Sequence, residues 1–352
     1  MTNKLSVQEL QEKAEQYASD CADSFTNSEQ LRFDINGNLI YKTKESNYDV
    51  GMRGQPNDLA WSQLVGRLDA PPVSWLLKDE RCTKELRAKI MNNLAVTRAK
   101  DGLFIRHKGD TVRAVLSDEY TRFDNVKFID LIGQAIEHLG YETVVLRPVV
   151  GDHLSAYILM PQITFNQDPN GHGGLHPAVY VSNSEVGTGA ARTAGGLYLD
   201  YCENGSIHGW KAEEALAVRH RFLSVGAMRS IVASGIAGAL KMSEQAAKDY
   251  VAAQDIHLEP VNLKGIVDKW ATKYGLTVGA KENWLAAAIG ESSNQGRKPD
   301  PRVLDLFNGA TYSAKLINSV PERELVERMA GDMLTEYGSN YRNGQAYINR
   351  RR

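Results

Sequence analysis

The chain has few cysteines and no cysteine cluster. Its 352 residues include three, Cys21, Cys82 and Cys202, which lie far apart and have no metal-ligand spacing. An odd number of scattered thiols is typical of a reducing compartment, and it excludes both a disulfide scaffold and a zinc ribbon. We therefore expect a cytoplasmic protein with three ordinary thiols.

Long apolar runs and excess charge are also missing. The longest apolar stretch, Ile231 to Leu240, is too short to span a bilayer. The N-terminus has no apolar signal-peptide core, and Ser6 to Glu9 instead fits a capping box that opens a helix. The formal net charge is -2, so any affinity for an anion must come from local patches. We expect no membrane partner.

The usual local motifs of catalysis are absent. The glycine-rich segment 187–196 contains no Gly-Lys-Ser/Thr and precedes a predicted strand, so it matches neither a P-loop nor a dinucleotide fingerprint. No serine, cysteine or threonine lies in a nucleophile elbow. We predict no catalytic residue, no cofactor and no metal site.

What the sequence does contain is the pattern of a folded α+β protein, with an ordinary apolar fraction of 42%. Apolar spacing predicts an amphipathic helix over 6–25, and a hairpin over 31–42 that turns at Asn36-Gly37. Further helices are predicted over 58–68 and 83–98. A helix is also predicted to begin at Asp124 or Asn125 and to end at Gly140.

Strand composition is concentrated in the middle of the chain. Turns are predicted at 108–110, 151–152, 187–196 and 204–205, between short β-branched segments. We predict an antiparallel strand-rich core of about 101–215, flanked by helical N-terminal and C-terminal regions. The N-terminal region, 1–100, includes the hairpin, and the C-terminal region, 216–352, ends in a basic tail.

Several segments resemble a family of phage- and plasmid-encoded proteins known as domain of unknown function 932. The most specific block comprises 176–187, 195–205 and 219–221, beginning His-Pro-Ala-Val-Tyr-Val-Ser-Asn-Ser-Glu. Segments 64–71 and 113–125 also resemble the family. The resemblance is weaker in segments 304–312 and 327–331. The family has no agreed activity. The resemblance implies DNA metabolism of a mobile element in the cytoplasm of a host cell.

By layout alone, the chain is also similar to single-strand annealing proteins, which build oligomeric rings or filaments. No shared motif carries this second resemblance. It implies a homo-oligomer that binds single-stranded nucleic acid.

Basic residues gather locally despite the small net charge. Segment 81–122 has ten basic residues against five acids, and 337–352 has four arginines, three tyrosines and no acid. Arginine neutralises phosphates and tyrosine stacks on unpaired bases. The plainer alternative is a solvated helix face and a disordered tail. The candidate contact residues are Arg106, Lys108, Arg113, Arg122, Arg192, Arg219, Arg221, Tyr341, Arg342, Tyr347, Arg350, Arg351 and Arg352.

The resulting hypothesis is a non-enzymatic protein that binds single-stranded DNA, with RNA as the other candidate partner. It would serve recombination by strand annealing, replication or transcription. We also expect the tail, 337–352, to be poorly packed, because it is rich in glycine and asparagine.

Two alternatives from other classes stay open. A metal-dependent enzyme acting on nucleotides or nucleic acid would need ligands such as Asp168, His172 and His176, or a carboxylate set of Asp152, Asp200 and Glu203. A phage assembly or interaction protein would bind a partner through its helical C-terminal half. The small-residue helix over 227–239 permits close helix packing either in a monomer core or between subunits. Four aromatic side chains are candidates for base stacking, although packing is their more common role: Phe123, Tyr198, Tyr201 and Trp210.

Overall fold

The computed structural model describes residues 4–43, 52–97, 102–164, 174–199, 204–208, 216–218, 225–259, 262–294, 300–317 and 319–342. It confirms the predicted α+β class, with two largely antiparallel sheets and helices at both ends of the chain. In this part of the chain, no helix is both long and apolar enough to cross a membrane.

The first sheet contains six strands within the described residues. Their order is β1-β5-β6-β4-β3-β2, and β4 pairs parallel with β6. Helices α2, α3 and α4 supply most of the apolar side chains that cover it. The bounds are β1 (Cys21–Asn27), β2 (Leu31–Phe33), β3 (Leu39–Tyr41), β4 (Met52–Pro56), β5 (Gly102–Lys108), β6 (Thr111–Ser117), α2 (Asp58–Leu68), α3 (Val73–Lys78) and α4 (Lys84–Thr97).

This sheet confirms the hairpin over 31–42 and corrects the first helix. Helix α1 (Val7–Ala18) has the predicted capping box at Ser6, but it ends before Cys21. Segment 21–27 instead pairs with β5 along its whole length. A strand forms there because seven antiparallel pairings with a buried partner outweigh a weak local helical pattern. The strand-rich part of the fold therefore begins well before residue 101.

The second sheet has the order β11-β10-β9-β8-β7, with β12 also paired to β10. Helices α1, α5 and α6 cover one face of this sheet with apolar side chains. Helix α10 (Val320–Arg342) brings acidic side chains to tyrosines on the opposite face. The bounds are β7 (Val144–Val150), β8 (His153–Leu159), β9 (Leu175–Ser184), β10 (Ala191–Leu199), β11 (Asn204–His208), β12 (Leu216–Val218), α5 (Asn125–Leu139) and α6 (Val225–Ala253).

Two turn predictions in this sheet are wrong. Strand β10 begins at Ala191, so more than half of the predicted bend 187–196 is strand. Gly195 serves close packing, because an added Cβ would lie 2.7 Å from the Met242 Cβ and 2.9 Å from the Ala239 carbonyl oxygen. The predicted hairpin turn at 204–205 begins strand β11 instead, with Asn204 opposite Leu199.

The C-terminal region is helical from Val225, as expected, but 216–218, which was predicted to belong to this helical region, forms strand β12. Its core includes Trp270 and Trp284. Helix α10 runs to Arg342 with Tyr337 buried, and an added Cβ at Gly338 would lie 2.7 Å from the Asp249 Cβ. The prediction of a poorly packed tail is therefore wrong for 337–342, and 343–352 lies outside the described residues. The bounds are α7 (Leu263–Tyr274), α8 (Val278–Asn294), α9 (Val303–Lys315) and α10 (Val320–Arg342).

Candidate functional site

A buried ionic network joins the two sheets. Arg106 on β5 has a side chain that is 1% exposed and forms ion pairs with Asp23 at 2.8 Å and with Asp124 at 2.5 Å. It also donates to the carbonyl oxygen of Glu185, in the turn after β9, at 2.9 Å. One guanidinium therefore connects β1, the start of α5 and the second sheet.

Arg113 on β6 is the second centre of this network. Its Nη1 donates to Asp152 at 2.8 Å and to Glu185 at 2.7 Å, and its side chain is 2% exposed. Burial lowers the pKa of the Arg113 guanidinium, but the hydrogen bonds to the two carboxylates outweigh burial and hold that pKa above its ordinary value. The other oxygen of Glu185 accepts from the backbone N–H of Asn125 at 2.7 Å, so Glu185 also satisfies the first turn of α5.

These contacts change the interpretation of the central basic cluster. Arg106 and Arg113 were predicted to contact nucleic acid, yet both lie inside the fold with carboxylates as partners. A phosphate would have to displace those carboxylates and open the junction between the sheets. We therefore exclude both residues from the proposed contact surface and assign them to the joining of the two sheets.

Beside this network lies an open pocket with a volume of about 550 Å³, which we call the turn pocket. It is bounded by the ends of β7 and β8 and the turn between them, by the end of β9, the turn that follows and the start of β10, and by the first two turns of α10. The lining residues come from those elements: Val149, Gly151, Asp152, His153, Leu154, Ser182, Asn183, Ser184, Thr188, Gly189, Ala190, Arg192, Pro321 and Glu324.

Local hydrogen bonds shape the β9–β10 turn at the pocket. The Thr188 hydroxyl lies 2.9 Å from Ser184 Oγ and 3.2 Å from His153 Nε2, so it links the two turns. Gly187 has a φ of 77°, a left-handed conformation that favours glycine. The pocket wall is therefore a defined turn that presents hydroxyl and imidazole groups.

Charged side chains of both signs line the turn pocket: Asp152, which pairs with Arg113, and the opposite charges of Arg192 and Glu324. Arg192 is half-buried at the start of β10, and Glu324 is half-buried on α10. Burial and the nearby Arg328 charge lower the pKa of the Arg192 guanidinium, and the Glu324 charge opposes that shift. Burial raises the pKa of the Glu324 carboxyl, and the Tyr180 hydroxyl, which donates a hydrogen bond to it, acts in the opposite direction. A cation and an acid thus share one opening.

Another predicted contact residue, Lys108, is linked to the pocket through Tyr17. Its Nζ lies 3.3 Å from the centre of the Tyr17 ring, and the Tyr17 hydroxyl donates to Asp152, which lines the pocket, at 2.9 Å. Arg122 is 63% exposed but pairs with Asp124.

The remaining predicted residues lie elsewhere. Tyr341 is exposed near the end of α10, and Arg342 is the last residue of that helix. The other six lie outside the described residues: Arg219, Arg221, Tyr347, Arg350, Arg351 and Arg352.

The residues considered for metal binding and stacking are placed as follows. His176 is buried on β9 with its Nδ1 3.0 Å from the Ile163 carbonyl oxygen. Asp152 is occupied by Arg113, and the described ranges contain no group of three or more potential ligands suited to a metal ion. Phe123 and Tyr198 are buried in the core, where packing is their role. Outside the described residues lie Asp168, His172, Asp200, Tyr201, Glu203 and Trp210.

Sequence reasoning identified Arg192 but missed Glu324 as a site residue. Glu324 lies in an ordinary amphipathic helix, far along the chain from the β9–β10 turn. No local pattern marks it, because its role depends on where α10 packs against the sheet.

Comparisons of the chain with protein-family models, with curated proteins and with solved structures found no match.

Proposed function

We propose that this protein is a non-enzymatic single-stranded nucleic-acid-binding protein, and that an unpaired nucleotide enters the turn pocket. The observation that carries the proposal is the pocket itself, which combines an arginine with hydroxyl and imidazole groups at an open end of the second sheet. Three of its lining residues, Ser182, Asn183 and Ser184, lie in segment 176–187, part of the most specific block of the family resemblance.

The size and walls of the pocket suit a nucleotide. Small-molecule sites commonly have volumes of about 300 to 1,000 Å³, with mainly apolar walls and a few placed polar groups. The turn pocket fits that description, with apolar lining such as Val149, Leu154 and Pro321. A base fits against such walls, while Arg192 supplies a cation for the phosphate.

The same geometry favours single strands over duplex. A base must leave its stack and its pairing partner to enter a recess between two turns, and an unpaired strand does so at the lower cost. Lys108 supplies a further cation at this side of the fold, because it contacts Tyr17, whose hydroxyl donates to Asp152. The proposed partner is single-stranded DNA, with RNA as the other candidate.

The biological setting rests on resemblance alone. Similarity to the phage and plasmid family supports a role in recombination, replication or transcription of a mobile element within a host cell. Similarity in layout to strand annealing proteins supports a homo-oligomer. The proposed protein is therefore a homo-oligomer that serves a mobile element.

The test is a binding measurement on the full chain. Fluorescence anisotropy would compare a labelled single-stranded oligonucleotide with its duplex over about 50 to 200 mM salt. We expect tighter binding to the single strand, and an affinity that falls as salt rises. Arg192→Gln should weaken binding and reduce the slope of log affinity against log salt by up to about one.

Arg81→Gln is the matched control, because Arg81 is an exposed arginine that does not line the pocket. It removes the same charge and should leave binding unchanged. Equal weakening by both variants, or no binding to either form of DNA at low salt, would reject the proposal.

A further inference from the structure

Glu324, one of the two acids that line the turn pocket, has a fixed position. Glu324 accepts a hydrogen bond from the hydroxyl of Tyr180, which is buried on β9. One turn further along α10, Glu327 accepts from Arg147 at 2.7 Å and from the Tyr157 hydroxyl at 2.6 Å. Both carboxylates help to hold α10 against the sheet, but only Glu324 lines the pocket.

Two acids one turn apart therefore have different electrostatic roles. The Glu327 charge is matched by Arg147 inside the fold. The Asp152 carboxylate also lines the pocket, but it is paired with Arg113. The Glu324 charge acts within the pocket beside the Arg192 cation. A ligand phosphate beside Arg192 would also feel the repulsion of Glu324.

We propose that Glu324 sets the charge selectivity of the turn pocket, so that it accepts the singly charged phosphodiester of a strand interior and disfavours a doubly charged phosphomonoester. This inference rests on the proposed function, because it takes a nucleotide as the ligand. A phosphomonoester carries a charge of about -1.5 to -2 at pH 7. Its repulsion from a fixed carboxylate is therefore close to twice that of a diester.

This selectivity would determine which nucleotides of a strand the pocket binds. Free mononucleotides and phosphorylated strand ends would compete poorly, and internal nucleotides of a strand would occupy the site. Arg192 provides the attraction, and Glu324 keeps that attraction moderate and reversible.

The experiment measures two probes on the full chain. One is a fluorescein-labelled oligothymidylate without a terminal phosphate, and the other is thymidine monophosphate as a competitor. Glu324→Gln keeps an oxygen that accepts from Tyr180 but removes the charge. We expect it to raise affinity for the oligonucleotide about threefold and for the monophosphate about ninefold, because the repulsion doubles with ligand charge.

Matched variants separate this effect from a general charge change. Glu322→Gln removes the same charge from the same helix, and Glu322 accepts from Thr277 rather than lining the pocket. It should leave both affinities unchanged. Glu324→Ala is a second neutral variant that should reproduce the gain, and adding Arg192→Gln should abolish it.

The outcomes distinguish this inference from the proposed function. If the wild-type protein binds neither probe, the proposed function fails and the inference fails with it. If the wild type binds the oligonucleotide but neither neutral variant at 324 raises the affinity for either probe, the inference alone is wrong. An equal gain for both probes, or the same gain from Glu322→Gln, would also overturn it.

Discussion

Replacing Arg113 by methionine should destabilise the protein, because Arg113 is a buried centre of the network that joins the two sheets. The change removes the buried guanidinium that pairs with Glu185 at 2.7 Å and with Asp152 at 2.8 Å. Methionine fills much of the same space, so the loss reports the charge and the hydrogen bonds rather than a cavity.

The loss of Arg113 would affect its two partners, Glu185 and Asp152, to different extents. Glu185 is 4% exposed and would keep only its bond from the Asn125 backbone, so one carboxylate oxygen would be left buried without a partner. Asp152 is 27% exposed and would keep the Tyr17 hydroxyl. Breaking a buried pair from one side typically costs about 3 to 5 kcal/mol. Because Asp152 can be solvated, we expect a value near the lower end, about 3 kcal/mol.

Urea unfolding followed by circular dichroism measures this free energy. Adding Glu185→Gln to Arg113→Met removes the stranded charge and should recover about 1 to 2 kcal/mol. Arg81→Met, at an exposed ion pair with Asp79, is the control and should leave the midpoint unchanged. A variant at Arg113 that is as stable as wild type but binds single-stranded DNA weakly would refute this reasoning and restore Arg113 to the contact surface.

Two further predictions concern packing and the tail. Gly309→Ala should destabilise the helical half by about 1 to 3 kcal/mol, because its Cβ would lie 2.5 Å from the backbone nitrogen of Ala288. Gly290→Ala on α8 has open space and should raise stability by about 0.5 to 1 kcal/mol, and equal thermal midpoints for the two variants would contradict this. Deleting 343–352 removes three arginines, so the salt slope of DNA binding should fall by up to about three while the thermal midpoint holds. A large fall in the midpoint with binding intact would show that the tail is structural.

Local patterns predicted local elements well. The capping box at Ser6, the hairpin turn at Asn36-Gly37 and the helix end at Gly140 each depend on residues only a few positions apart, and each is confirmed. Strand β1 was missed because its identity depends on pairing with β5, far along the chain. The packing role of Gly195 depends in the same way on α6.

The candidate site also depends on contacts between residues that lie far apart in the sequence, and local patterns do not predict such contacts. A count of basic residues cannot tell a buried arginine from an exposed one, since burial depends on distant acids. Arg106 meets Asp23, and Arg113 meets Glu185, only in the folded chain. Arg192 was included because the predicted glycine-rich bend 187–196 contains it, although it lies on β10 in the structure. Its neighbour in the pocket, Glu324, comes from a different part of the fold.

The central claim, that an unpaired nucleotide enters the turn pocket, is tested most directly by mapping a photo-crosslink. The full chain would be irradiated with an oligonucleotide that carries 4-thiothymidine, and the modified peptides identified by mass spectrometry. We predict crosslinks within 149–154 and 182–192, and their loss when Arg192→Gln weakens binding. Crosslinks confined to other segments, with both of these unmodified while the DNA is bound, would contradict the claim.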